Sequence, residues 1–205
     1  MAKLKLTYFD FDGGRGEPAR LALRIGGIEF EDCRIPIADW PEVKANYRYQ
    51  QLPELEVDGK WLNQSNIITR YVGKMAGLYP EDDWQAAICD AVVDTVDDAM
   101  KVLVDTFFMP EDEKQRVREE LVKEPLPLFI AGLNQSLNEG GGAYFASGCL
   151  TVADLKMLVF VRGLTDGTFD YIPSSIVAEH GPALVAHQTR IEGYLQENTP
   201  QPDYA

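Results

Sequence analysis

A small α/β domain followed by an all-α domain is the architecture this 205-residue sequence predicts. Three observations carry that expectation. Apolar residues alternate near the start of the chain but recur at helical spacing from Trp84 onward. Between the two patterns, Tyr79-Pro80-Glu81-Asp82-Asp83 reads as a linker. The charge divides at the same place. Residues 1–80 carry 11 Lys+Arg and 11 Asp+Glu, whereas residues 81–205 carry 8 and 22 and so hold the whole net charge of −14. The expected boundaries are 1–78 for the first domain, 79–83 for the linker and 84–205 for the second.

The elements follow in order. Residues 3–9, Lys-Leu-Lys-Leu-Thr-Tyr-Phe, alternate and predict a strand. After a turn at Gly13-Gly14, Pro18 sits in the first turn of a helix that runs to about Ile25 and ends at Gly26-Gly27. Ile28 to Ile35 is a second strand, and strand–helix–strand order implies a parallel pair with a right-handed crossover. Leu55 to Asp58 and a stretch near Trp61-Leu62 form a hairpin about Asp58-Gly59. A helix from Asn66 to Met75 follows, with Ser65 placed to cap it. This βαβ–ββα order is a thioredoxin-like layout. In the second domain, Ala87, Ile88, Ala91, Val92, Thr95, Val96, Ala99, Met100, Leu103 and Phe107 share one face of a helix over 84–108, with aspartates opposite. Residues 111–137 are helical, with Pro125 and Pro127 forcing a break. Thr151 with Asp154 three residues later is a capping box opening a buried helix, and Pro182 opens a last one through Leu195.

Composition excludes several classes of function. At 45% hydrophobic and 10% aromatic residues the chain can bury a proper core, which argues against disorder. A charge of −14 repels nucleic acid and anionic membranes, so neither is an expected partner. Met157 to Val161, the longest strongly apolar run, is far too short to span a bilayer. Cys33, Cys89 and Cys149 show no metal-ligand spacing and read as buried or half-buried free thiols, consistent with a cytoplasmic setting.

The chemistry concentrates between Gln51 and Ser65. Pro53 enters a strand without a donor. A cis bond there would turn the chain sharply and leave the backbone groups of Leu52 open to pair with an extended, peptide-like ligand. Ser65 offers a hydroxyl at a helix start, where free N–H groups and the helix dipole suit a carboxylate. One small peptide could thus be held by its backbone at one end and its acid at the other.

These residues do not stand alone. Leu6-Thr7-Tyr8-Phe9, Gly14-Arg15-Gly16-Glu17-Pro18, Ala38-Asp39-Trp40-Pro41, Gln51-Leu52-Pro53, Leu55-Glu56-Val57-Asp58-Gly59, Gln64-Ser65, Arg70-Tyr71, the 90–98 aspartate run and Leu150-Thr151-Val152-Ala153-Asp154-Leu155 occur in an order that closely resembles the sigma class of glutathione transferases. The resemblance implies that family's fold, glutathione as co-substrate, a homodimer and detoxifying conjugation of electrophiles. It implies that Tyr8 donates a hydrogen bond to the glutathione thiolate and that Arg15 supports it. Trp40, Lys44 and Gln51 would reach the glycyl end, Leu52 beside Pro53 the cysteinyl backbone, and Gln64 and Ser65 the γ-glutamyl carboxylate. Asp98 would reach the ammonium group across the dimer; separately, the acid-rich face of the 84–108 helix, self-repelling in a monomer, points to Arg70 and Lys74 of the partner subunit as its counter-charges. Phe9, Gly14, Val104, Phe107, Lys156 and Phe160 would line an electrophile pocket between the domains.

Residue by residue, plainer readings stand beside these. Tyr8 alone could be a packed strand tyrosine, and Asp94, Asp97 and Asp98 a solvated acidic face. Three carboxylates can also hold Mg²⁺ or Ca²⁺, but nothing else requires a metal and none is expected. His180 and His187, with no carboxylate in catalytic spacing, read as surface or packing residues. Two activities besides conjugation fit the resemblance: a prostaglandin-D-synthase-like isomerase, and a non-catalytic crystallin-like relative, which would carry an insertion in the helical domain that is not seen here. The chain departs from the family pattern at three places. The loop Asp12-Gly13-Gly14-Arg15-Gly16 is one residue longer than usual, with glycine for alanine at 16. Gln50 replaces a common glycine. Glu54 replaces a small apolar residue just after Pro53, where a carboxylate must find a partner or solvent.

Overall fold

The computed structural model describes residues 2–198. They divide into two compact units, the first ending at Tyr79 and the second running Pro80–Glu197.

In the first unit, strands β1 (Leu4–Phe9), β2 (Glu31–Ile35), β3 (Glu54–Val57) and β4 (Lys60–Asn63) form one sheet in the order β2-β1-β3-β4. β1 and β2 are parallel, while β3 pairs antiparallel with both β1 and β4. Because strand side chains alternate, Leu4, Leu6 and Tyr8 point to the opposite face from Lys5, Thr7 and Phe9. Leu6, Leu55, Ala22 and Leu23 of helix α1 (Glu17–Ile25), and Ile68 and Val72 of helix α3 (Ser65–Met75), are all fully buried. The turns between β2 and β3 include a short helix, α2 (Trp40–Val43).

β2 begins three residues later than the alternation predicts. Gly27 takes φ 60° and the Ile28 N–H bonds back to Leu23 O at 3.0 Å, so the residues after α1 complete its C-terminus before the ladder starts. At the other boundary, α3 begins at Ser65 itself and the capping position falls on Gln64, whose φ of 73° is unusual for a residue other than glycine.

The second unit holds helices α4 (Asp83–Val104), α5 (Glu111–Lys123), α6 (Leu126–Glu139), α7 (Val152–Thr165), α8 (Ile176–His180) and α9 (Pro182–Asn198). α4 stops short of Phe108. The Thr106 hydroxyl donates to Leu103 O at 2.6 Å and accepts Arg118 Nε at 2.7 Å, closing the helix end. The break expected from the prolines separates α5 from α6, with a cis Glu124–Pro125 bond between them. α8, too short to show a period, is not legible in the sequence.

The capping box of α7 is present and reaches further than its four residues. Asp154, 0% exposed, accepts from Thr151 N (2.8 Å), Thr151 Oγ1 (2.8 Å), Phe145 N (3.1 Å) and His187 Nε2 (2.9 Å). His187 is thus not the partnerless residue its sequence neighbours suggest. Its carboxylate comes from 33 positions away. The cysteines carry no disulfide, and Cys149 is exposed rather than buried.

Candidate functional site

Tyr8 stands near the C-terminal end of β1, where the alternation points it toward the helix-covered face. It is 5% exposed. Its hydroxyl oxygen accepts the backbone N–H of Arg15 at 2.9 Å. The loop that makes this contact is the long one, and its glycines explain how it closes. A Cβ on Gly14, whose φ is 60°, would lie 2.6 Å from the Tyr8 hydroxyl, and one on Gly16 would overlap the Tyr8 ring. Glycine at 16 is therefore what lets the backbone lie flat against the ring.

Two buried or half-buried arginines anchor the same loop. Arg20 pairs with Glu17 and with Asp32 (3.0 Å), and its Nη1 reaches Phe11 O at 3.4 Å. Arg34 donates to Asp12 at 2.8 Å and to Asp32 at 3.0 Å. Burial raises the Tyr8 phenol above the usual tyrosine range, and the Arg15 N–H pulls it part of the way back. Tyr8 is thus a neutral phenol at physiological pH. With Arg15 N–H on its oxygen, its own proton is available to an anion.

Aromatic rings extend from this point. Phe9 lies 5.3 Å from Tyr8 and meets Trp40 edge-on at 5.4 Å. Phe11, 37% exposed, lies 5.6 Å from Tyr8 and stacks nearly parallel to Phe9. Phe11 is not among the residues expected at the site, although the run Tyr8-Phe9-x-Phe11 is a signal that points to it.

The Gln51–Pro53 and Gln64–Ser65 segments leave the same end of the β3–β4 hairpin. Glu54 pairs directly with Asn63 in the ladder, so Pro53 and Gln64 follow at adjacent strand ends. The Leu52–Pro53 bond is cis. Gln51 and Gln64 are exposed, and Leu52 and Ser65 half-buried. Trp40 and Lys44 fall on consecutive helical turns, Trp40 half-buried and Lys44 exposed.

In the second unit, Asp94 and Asp98 are exposed on α4, and Asp97 lies 3.4 Å from the ammonium of Lys156. Lys156 is 3% exposed and Phe160 1%, so both sit within the packing of α7. Val104 is half-buried, and Phe107 is open to solvent on one side and stacked on Phe169 at 5.4 Å. Among the described residues, no group of three or more His, Cys, Asp or Glu side chains is placed to hold a metal ion. Among the described residues, too, no helix is long and apolar enough to cross a membrane. A cavity of about 740 Å³ is lined by Trp84, Ile88, Ala91, Leu133, Phe145 and neighbours, and holds none of the expected site residues.

Residues 4–74 match the family described as "Glutathione S-transferase, N-terminal domain", and residues 97–197 match "Glutathione S-transferase, C-terminal domain". A protein of Anopheles gambiae named glutathione S-transferase is 34% identical over 185 residues, 90% of this chain and 88% of that one. A solved structure of prostaglandin synthase D from Nilaparvata lugens superposes with a TM-score of 0.83 at 32% identity, covering 98% of this chain and 100% of that chain. A glutathione S-transferase structure from the hookworm Necator americanus, described as monomeric, superposes with a TM-score of 0.77 at 27% identity, covering 98% of this chain and 100% of that chain.

Proposed function

The chain belongs to the glutathione S-transferase family, and from that premise we propose that it is a sigma-class glutathione transferase in which Tyr8 activates the thiol. Glutathione is the co-substrate. Its free thiol resembles that of cysteine, with a pKa of about 8.5, and only the thiolate attacks. What supports Tyr8 in this role above all is the Arg15 N–H on its oxygen, which leaves the hydroxyl proton to be donated. A hydrogen bond to an anion contributes roughly 1.5–3 kcal/mol, enough to lower the thiol pKa by about one to two units. The thiolate then forms a carbon–sulfur bond to the electrophile, whose leaving group departs or whose π-bond takes up a proton.

The tripeptide lies along the strand ends in this reading. Ser65 and Gln64 hold the γ-glutamyl carboxylate at the α3 N-terminus, Leu52 pairs with the cysteinyl backbone beside Pro53, and Trp40, Lys44 and Gln51 take the glycyl end. Phe9, Gly14 and Phe11 border the sulfur and form an apolar bed for the electrophile. The Arg15 side chain adds positive charge near the thiolate. Asp98 reaches the glutathione ammonium of a partner subunit, and the protein is a homodimer. A second reading, glutathione-dependent prostaglandin isomerisation, is favoured by the prostaglandin synthase D relative. The same residues serve it.

Tyr8→Phe tests the central role. Glutathione should still bind, turnover should fall about tenfold or more, and the pKa of the bound thiol, followed by thiolate absorbance, should rise. An unchanged thiol pKa rejects the role. Running conjugation of an aromatic halide beside prostaglandin isomerisation separates the two activities. Sedimentation at low concentration tests the dimer, and Asp98→Asn should weaken glutathione binding only if that dimer forms.

A further inference from the structure

We propose that Glu54 and Asn63 are positioning residues: a cross-strand clamp that sets glutathione affinity by fixing the spacing between the Leu52-Pro53 and Gln64-Ser65 segments. The proposal rests on the reading that those two segments hold glutathione.

Chain order puts the pair at the junction. Glu54 is the first residue of β3, directly after Pro53, and Asn63 is the last of β4, directly before Gln64. The register pairs them in the ladder. Their side chains are bonded as well, Asn63 Nδ2 donating to Glu54 Oε1 at 2.6 Å. One side-chain bond therefore ties the two strand ends from which both halves of the expected glutathione site depart.

A carboxylate is an expensive choice for this position. Glu54 is 4% exposed and lies in the same sheet row as Thr7 and Cys33. A well-packed apolar pair would serve stability at least as well as a buried acid with a single bond. Glu54 also borders a cavity of about 470 Å³ lined by Asn46, Tyr47, Arg48 and Trp61, and the hydrogen bond on its carboxylate comes from Asn63. The Asn63 amide is what fixes its direction.

Backbone strain shows why a fixed point is needed there. Gln64 has φ 73° and ψ 113°. A residue other than glycine stays in such a conformation only where its surroundings over-determine it, and such strain gathers at ligand sites. On its C-terminal side Gln64 is held by the helix, since its carbonyl accepts Ile68 N–H at 2.9 Å. On its N-terminal side the last rung of the ladder is Glu54–Asn63. Releasing the side-chain bond loosens that rung, lets Gln64 relax and shifts Ser65 relative to Leu52. Misplacing binding groups by even an ångström is costly.

The test measures the glutathione dissociation constant by titration calorimetry for Glu54→Ala, Asn63→Ala, the double variant and Glu54→Gln, with Ser65→Ala alongside. Both single alanine variants should bind about three- to tenfold more weakly, and the double variant no worse than either single. Glu54→Gln keeps an oxygen that accepts from Asn63 and should bind as wild type. The pKa of bound thiol and kcat at saturating glutathione should hold in all four, because the Tyr8 end is untouched. A lowered melting temperature with an unchanged dissociation constant would make the pair merely structural and overturn the clamp. So would a Glu54→Gln variant as weak as Glu54→Ala. Should Glu54→Ala fail to fold, Asn63→Ala decides by itself. If Ser65→Ala weakens binding and Asn63→Ala does not, the clamp falls and the site reading stands. If Ser65→Ala also binds as wild type, the site reading fails first.

Discussion

Each unit buries a carboxylate at the start of a structural element, and the two are held very differently. Asp154, in the second unit, accepts four hydrogen bonds, two through each oxygen, from Thr151, Phe145 and His187. Glu54, in the first, accepts one from Asn63 and faces a cavity. A buried acid with every lone pair occupied repays its desolvation locally and locks the helix it caps. A buried acid with one bond repays little, so it is retained for where it holds the chain. The comparison teaches that saturation, more than burial, separates an acid that builds the fold from one that serves a site.

That contrast can be broken in a definite order of effect. Asp154→Ala strips four donors of their acceptor and should destabilise the second unit by about 3–5 kcal/mol, read by urea denaturation. If the loss is under about 1 kcal/mol, the saturated acid is not structural and the comparison collapses. His187→Phe should cost about 1–3 kcal/mol, since it removes one donor and leaves the other three. Glutathione affinity of the folded protein should be unchanged in both. Glu54→Ala should show the opposite profile, with no more than about 1–1.5 kcal/mol lost in stability but a measurable loss of affinity. Equal stability losses at 54 and 154 would erase the distinction.

A further effect appears only at high pH. Cys89 packs against the same cluster, and burial raises its thiol to about 11, with bonds to Ala153 and Thr151 opposing the shift. The folded state then holds the thiol proton more tightly than the unfolded state, whose ordinary thiol titrates near 9. Stability from this source is complete below pH 9 and is lost as pH rises toward 11. By about 1.4 kcal/mol per unit the total is at most about 3 kcal/mol. Cys89→Ala should flatten the decline of stability with pH across that window. An identical slope in both proteins would mean that the cluster admits solvent.

What the sequence made legible follows from how far apart the partners lie. Thr151 and Asp154 are three positions apart, so their capping box could be read directly, and it is present. The alternation of Leu4, Leu6 and Tyr8 fixed their shared face. Glu54 with Asn63, and Asp154 with His187, depend on strand register and helix packing, and neither pair has a local signature. The helix ends were missed where a tertiary contact set them. Arg118 reaches Thr106 from α5, and nothing near Val104 announces it. At Tyr8 the sequence offered the tyrosine and the long loop. That Gly14 and Gly16 are the points of closest approach came only with the structure.

The bond to Tyr8 comes from the main chain of Arg15, and this has a consequence for tolerance to change. Nineteen of the twenty residue types carry that N–H, since only proline lacks it. The contact is therefore indifferent to the side chain at 15, and substitution there separates two contributions that a catalytic arginine would normally merge. Arg15→Ala should keep the bond to Tyr8 and lose the guanidinium, whereas Arg15→Pro should remove the donor itself. The neighbouring positions have the reverse character: at 14 and 16 any side chain intrudes on the tyrosine. Along three consecutive residues, the contact with Tyr8 accepts any side chain at the centre and none on either side.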